Sequence, residues 1–196
     1  MSYIEVLKSE LRNFQIDLTS EQKLLLARYC DELVRWNEKI NLTALSGPDL
    51  VRRLVVEPVW IGDQLKPEGI LVDIGSGNGS PAIPLHVLCR FTTTHLVEVR
   101  LRKAAFLRHI ASTLELTGVI VHRARFESIA SDLRTANWIT LQGRALSREL
   151  LNSIRDVATA TTNVVWITSP DTRSPANPAR RFRVPFTGTT VLLFRL

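Results

Sequence analysis

A β-branched run that ends in a cluster of glycines constrains this chain more than any other stretch. Ile70-Leu71-Val72-Asp73-Ile74 leads straight into Gly75-Ser76-Gly77-Asn78-Gly79-Ser80. A short, largely apolar run bounded by turn residues reads as a buried parallel strand. The glycines let the chain turn sharply and let a ligand approach the backbone closely. A helix from about Pro81 to Leu88 follows, with Pro81 and Pro84 tolerated near its first turn. The free N–H groups at its start can donate to a carboxylate or phosphate.

The spacing is G-x-G-x-G, not the G-x-G-x-x-G of dinucleotide-binding folds. Asp73 places an acid at the strand end. Glu98 ends the next strand, His95-Leu96-Val97-Glu98-Val99, where a carboxylate can accept hydrogen bonds from both hydroxyls of a ribose.

The rest of the chain fixes the class. Residues 1–65 read as a helical extension. Thr19 and Gln22 form a capping box before Leu24-Leu25-Leu26, and Leu26, Cys30, Leu33 and Val34 share one face. That helix should end near Asn37 to Asn41. Asp49 is expected to cap a second helix through about Asp63, with Pro58 disturbing its last turn. Beyond Pro67 the elements alternate. Helix Arg102–Leu116 shows Ala105, Phe106, His109, Ile110 and Thr113 on one face, and Gly118 is placed to end it. Strand 119–121, a short helix near 128–133, strand 138–141, a helix from Ser147 to about Ala160 and strand 164–167 follow. Such alternation means a parallel sheet with helices on both faces. Ser169 to Ala179 is a loop. Phe182-Arg183-Val184 and Thr190-Val191-Leu192-Leu193-Phe194 flank Thr187-Gly188, a hairpin signal. The expectation is an α/β fold: a mostly parallel seven-stranded sheet with an antiparallel C-terminal hairpin, over residues 66–196.

The charge is uneven. The net charge is +6, which favours a polyanionic partner because each neutralised phosphate releases a counterion. Arg100, Arg102, Lys103, Arg108, Arg123 and Arg125 lie close together. From Thr172 onward there are five arginines and no acid. Cys30 and Cys89 are too few for a disulfide framework or a metal knuckle and read as buried thiols; no metal is expected. No apolar run approaches the roughly 20 residues that cross a bilayer. No basic segment followed by an apolar stretch and a cleavage site opens the chain, so a cytoplasmic protein is expected; a monomer without a membrane partner is the accompanying expectation. His86, His95, His109 and His122 are scattered and read as packing residues.

Acid-x-G-x-G-x-G on the first strand, with an acid ending the second, resembles the Rossmann-like class I methyltransferases. The narrower text Asp73-Ile74-Gly75-Ser76-Gly77-Asn78-Gly79-Ser80-Pro81-Ala82-Ile83-Pro84-Leu85 is similar to the RsmG (GidB) family, which methylates N7 of a guanine in small-subunit (16S) ribosomal RNA. Arg35-Trp36-Asn37-Glu38-Lys39-Ile40-Asn41-Leu42-Thr43-Ala44, Arg102-Lys103-Ala104-Ala105-Phe106-Leu107 and Gly143-Arg144-Ala145 agree with that family in the same order.

The resemblance implies S-adenosylmethionine as cofactor, held by Asp73, Gly75, Ser76, Gly77, Gly79, Ser80 and Glu98. It implies Phe126 and Glu127 beside the adenine, and Arg144 at the methyl-transfer pocket, positioning substrate. The implied partner is ribosomal RNA or the small subunit, with Arg35, Lys39, Arg52, Arg53, Arg100, Arg102 and Lys103 as candidate phosphate contacts. Trp36 and Trp60 could stack a base, Trp36 reading rather as core. Guanine N7 carries an exposed lone pair, so alignment and electrostatics suffice and no general base is needed. The chain departs from the family in three places. Arg52-Arg53-Leu54-Val55-Val56-Glu57-Pro58 lacks the His and Asp of the family's Arg-His-x-x-Asp-Ser helix. Ser169-Pro170-Asp171 replaces a Lys-Gly after the fifth strand, and Ser80 replaces a bulky apolar residue. These leave a member acting on another substrate, or an inactive RNA-binding module, as alternatives.

Overall fold

The capping box sets the first long helix. Thr19 Oγ1 accepts from the Gln22 N–H at 3.1 Å, and Gln22 Oε1 accepts from the Thr19 N–H at 3.0 Å. In the computed structural model, which describes residues 2–133 and 136–195, this helix is α2 (Ser20–Asn37). It packs on α1 (Tyr3–Asn13) and buries Leu26, Tyr29, Cys30 and Leu33.

The next helical run is continuous but not uniform: α3 (Gly47–Val51), a π turn (Arg52–Val56), and α4 (Glu57–Leu65). Two expectations are corrected here. Ser46, not Asp49, precedes the first turn; Asp49 lies within it and pairs with Arg52 at 3.2 Å. Pro58 does not disturb the end of the helix. It sits directly after the π turn, where the Glu57 N–H reaches back to the Arg52 carbonyl. A proline needs no N–H partner but would press its ring on the carbonyl four residues back; the wider turn relieves that crowding.

The sheet comprises β1 (Glu68–Ile74), β2 (Arg90–Val97), β3 (Val119–His122), β4 (Trp138–Gln142), β5 (Asn163–Thr168), β6 (Arg180–Arg183) and β7 (Thr190–Arg195). Their order is β3-β2-β1-β4-β5-β7-β6. The first five pair in parallel, and β7 runs antiparallel to β5 and β6. The short strands β3 and β6 form the two edges. The chain builds outward from β1 on one side, then returns to β4 on the other. That reversal opens a crevice beyond the carboxyl ends of β1 and β4, the usual ligand position in such sheets.

The connecting helices are α5 (Ala82–Leu88), α6 (Leu101–Thr113), α7 (Phe126–Ile129) with a 3₁₀ turn, and α8 (Arg148–Arg155). Several boundaries differ from expectation. β2 begins at Arg90, because Arg90, Phe91, Thr93 and Thr94 pair with β1 around an irregularity at Thr92, and it ends before Glu98. The buried face of α6 is Ala104, Phe106, Leu107 and Ile110, not the face through Ala105 and Thr113. Glu115, at φ 52°, turns the chain after α6. Gly118 serves instead a close approach: a Cβ there would stand 2.6 Å from the Thr92 carbonyl oxygen. Ser147 caps α8, accepting from the Leu150 N–H. The helix stops well before Ala160, because the Thr162 hydroxyl accepts from the Thr159 N–H at 2.9 Å and donates to the Ala136 carbonyl. Such local side-chain bonds compete with helix.

Alternate strand residues feed opposite faces of the sheet. Leu71 and Leu96 join Leu7, Leu26, Leu50 and Phe106 in one core, so the N-terminal helices and the sheet share apolar interior. Val72, Ile74 and Val97 face Leu150, Ile154 and Trp166 on the other side.

Candidate functional site

The glycine loop is stapled to the neighbouring strand. The Gly75 and Ser76 N–H groups donate to the Val97 carbonyl at 2.8 and 3.1 Å. The Ser80 N–H donates to Asn78 Oδ1, and the Tyr29 hydroxyl of α2 donates to the Asn78 carbonyl at 2.8 Å. The helical layer therefore holds the loop from behind. Gly75 has φ 79°, a region L side chains rarely adopt, and a Cβ there would touch the Arg144 side chain.

Glu98 meets this loop directly. Its Oε2 accepts from the Gly77 N–H at 3.0 Å and its Oε1 from the Arg100 N–H at 2.7 Å. The residue is 6% exposed. Each carboxylate oxygen has two acceptor sites, so one on each remains open. Beneath the loop, Asp73 Oδ1 accepts from the Thr140 hydroxyl at 2.7 Å, while Oδ2 has no partner. Burial pushes the Asp73 carboxyl up to about 6. Ser80 Oγ is a second buried polar atom without a partner.

Two cavities open above this floor. One, of about 250 Å³, is lined by Gly75, Glu98, Val99, Phe126, Glu127 and Arg144. The fold thus brings residues singled out after four separate strands to one cleft. Asp73, Ser76, Gly77, Gly79 and Ser80 shape the loop beside it rather than lining it. The other cavity, of about 620 Å³, is lined by Arg53, Gln142, Arg144, Trp166, Arg173 and Thr189, among others. Arg144 belongs to both walls. Its carbonyl accepts from the Trp166 indole N–H at 3.1 Å, which fixes the backbone at that point.

Behind the wall of the second cavity lies a cluster that sequence reasoning missed. Glu57 is fully buried, accepting from the Thr189 hydroxyl at 2.8 Å and from the Gln142 amide at 3.4 Å. Arg53 Nη1 donates to Thr189 Oγ1 at 2.8 Å and stands 3.6 Å from the Glu57 carboxylate. Burial raises the Glu57 pKa against these partners. Nothing in the local sequence pairs residues 57 and 189; the contact exists only because β7 returns beside α4.

The basic residues divide into free and committed groups. Lys39, Arg100 and Arg102 are exposed, and Lys103 is half-buried. Arg35 is exposed and reaches Glu32 at 3.5 Å. Arg52 is engaged within the fold, gripping Glu10 at 2.7 and 3.2 Å as well as Asp49. Trp36 packs on Phe106 and His109, and Trp60 on Phe182 and Phe186, so both rings are engaged in packing. The histidines are not merely scattered: His95 Nδ1 and His122 Nε2 lie 3.0 Å apart across β2 and β3, and His109 reaches Glu32 at 2.6 Å. Cys30 is buried and Cys89 only partly so. Among the described residues no helix is long and apolar enough to cross a membrane, and no cluster of three or more metal-binding side chains is present.

A model of the family described as rRNA small subunit methyltransferase G matches residues 22–168. A ribosomal RNA small subunit methyltransferase G from Chloroflexus aggregans is 38% identical over 120 residues, which is 60% of this chain and 50% of that protein. One of the same description from Streptococcus thermophilus is 34% identical over 144 residues, 70% of this chain and 60% of that protein. The chain therefore spans half to three-fifths of the length of these relatives. Among solved structures, an RNA methyltransferase from Salinibacter ruber in complex with S-adenosyl-L-homocysteine superposes with a TM-score of 0.57 at 18% identity. The match covers 78% of this chain and 93% of that one.

Proposed function

The chain belongs to the rRNA small subunit methyltransferase G family, and from that premise we infer that it transfers the methyl group of S-adenosylmethionine to N7 of a guanine in small-subunit ribosomal RNA. The observation that carries the reading is the cleft where Gly75, Glu98, Phe126, Glu127 and Arg144 converge. Its donor and acceptor set fits the cofactor. Glu98 is held by two backbone N–H groups and keeps an acceptor site on each oxygen for a pair of vicinal hydroxyls. Gly75 leaves the backbone open to close approach, and the unpartnered Asp73 and Ser80 oxygens lie beneath the same loop.

When bound, the cofactor supplies an electrophilic methyl on a sulfonium. The chain contributes position and field. Glu98 accepts from the ribose, the glycine loop holds the methionine portion, and Phe126 and Glu127 flank the adenine. Arg144, shared by the two cavities, orients the acceptor by donating to guanine O6 or to a phosphate. The guanine N7 lone pair would take the methyl as its bond to sulfur breaks, the sulfonium leaving as a neutral thioether, so no side chain has to remove a proton. Arg35, Lys39, Arg53, Arg100, Arg102 and Lys103 are available to RNA phosphates and position the substrate without reading its sequence. Arg52, held by Glu10, is not counted among them. The enzyme acts as a monomer in the cytoplasm, where its substrate is made.

The Arg53–Glu57 pair, in the helix that departs from the family text, favours a second reading in which the acceptor is another substrate. One experiment addresses both. Small ribosomal subunits lacking base methylation are incubated with the chain and cofactor labelled in its methyl group, and the label is mapped by cleavage at N7-methylated guanines. Incorporation at the N7 of one guanine supports the first reading. A chain that binds S-adenosylmethionine yet labels no ribosomal RNA would refute the substrate. A folded chain that does not bind the cofactor would refute methyl transfer.

A further inference from the structure

The larger cavity, about 620 Å³, is within the range of small-ligand sites, roughly 300–1,000 Å³. Its wall gathers arginines from three distant parts of the chain: Arg53 from the π turn, Arg144 after β4, and Arg173 from the β5–β6 loop. Among the described residues no carboxylate pairs with Arg144 or Arg173. Arg53 uses only Nη1 for Thr189 and Glu57, leaving Nε and Nη2 for another acceptor. Glu57 itself is fully buried behind Thr189, so the cavity is positive in balance.

The backbone that carries Arg173 is also held in place. The Thr172 hydroxyl lies 2.8 Å from the Thr168 hydroxyl and 2.7 Å from that of Ser169, and the Thr172 N–H donates to the Ser169 carbonyl. Arg181 ties down the same turn through the Pro170 carbonyl. Arg173 therefore leaves a fixed turn rather than a free loop. Arg173 and Thr189 lie beyond the residues that match the family, which end at 168.

A guanidinium fork matches phosphate geometry with two donors at once. A neutral acceptor would leave Arg144 and Arg173 uncompensated in a shared cavity. We propose that the larger cavity receives the acceptor as a phosphorylated guanosine unit, its phosphate gripped by Arg53 and Arg173 and its base toward Arg144 and the cofactor cleft. This rests on the methyl-transfer reading and adds the phosphate as the group recognised.

The test is a set of calorimetric titrations of the whole chain with guanosine 5′-monophosphate, guanosine, inorganic phosphate and a guanosine-containing single-stranded tetraribonucleotide. The monophosphate should bind at least tenfold more tightly than guanosine, with inorganic phosphate competing. Arg173→Gln, on an exposed turn, should weaken a phosphate-bearing ligand roughly tenfold, the scale of one lost charge-assisted hydrogen bond, and leave guanosine unchanged. Arg53→Gln should do the same. The source of the phosphate is whichever of the monoester and the oligonucleotide diester loses the larger factor. Equal affinity for guanosine and its monophosphate, together with oligonucleotide binding indifferent to both substitutions, would overturn the proposal. S-adenosylmethionine is titrated in parallel. If it fails to bind while Arg173-dependent monophosphate binding persists, methyl transfer falls and the phosphate site stands.

Discussion

Replacing Asp73 with Asn probes a carboxylate that folding disfavours. The residue is 1% exposed, with one oxygen bonded to Thr140 and the other unpartnered. Burial pushes its pKa from 3.8 to about 6. A raised acid pKa means that the native state holds the proton more tightly than the unfolded chain. Between pH 4 and 6 the folded protein stays protonated where the unfolded chain has ionised, so stability falls as pH rises through that window and levels off above it. About two units at ~1.4 kcal/mol each give a cost of about 3 kcal/mol at neutral pH. Asn does not titrate, and its carbonyl still accepts from Thr140. Its amide takes the unpartnered place, at about 1–3 kcal/mol. At pH 7.5 the variant should therefore match or exceed the wild type in stability. At pH 4.5 it should be the less stable, the difference between the two proteins moving by about 2–3 kcal/mol. Urea denaturation of both proteins at both pH values measures this. A difference that stays constant with pH would refute the assignment of an ionised, uncompensated Asp73. S-adenosylmethionine is cationic, and saturating amounts should flatten the wild-type slope by compensating the carboxylate.

Two further outcomes are expected. Glu98→Gln keeps one acceptor but sets an amide NH₂ against a backbone N–H that Glu98 now satisfies. It should lower unfolding stability by about 2–4 kcal/mol and weaken cofactor binding at least tenfold, as read by denaturation and calorimetry. A variant within twofold of wild-type affinity would remove Glu98 from the site. Tyr29→Phe deletes the hydroxyl that holds the Asn78 carbonyl. It should cost about 1 kcal/mol of stability and loosen the loop, seen as faster amide exchange at residues 77–80; unchanged exchange there would show that the loop holds itself.

The parts of this protein legible in its sequence are those encoded by neighbours. The β-branched run before Gly75, the Thr19–Gln22 box and the acid at Glu98 each carry their signal within a few residues, and β1, α2 and the glycine loop follow from them. The cleft was legible because its residues sit at strand ends, which a parallel sheet brings to one rim. What escaped reading depends on contacts across the fold. The π turn answers Pro58 with carbonyls of the preceding turn. The buried face of α6, with Leu107 and Ile110, is the one that joins the core shared with the N-terminal helices. Glu57, Arg53, Gln142 and Thr189 meet only when β7 comes home beside α4, and His95 reaches His122 only through strand pairing. Arg52 read as an RNA contact because Glu10, its partner, is 42 positions away.

An open sheet has two rims, each with backbone groups ready to recruit a further strand. Here one rim is β3, only four residues long, and the other is β6, whose Arg180, Arg181 and Arg183 are exposed. Two molecules approaching through β6 would confront guanidinium with guanidinium, a repulsion strongest at low ionic strength. The arginines thus guard against polymerisation as well as adding to the basic surface. An engineer who neutralised them to curb indiscriminate nucleic-acid retention would strip the rim of its defence and should expect a precipitate before a cleaner preparation.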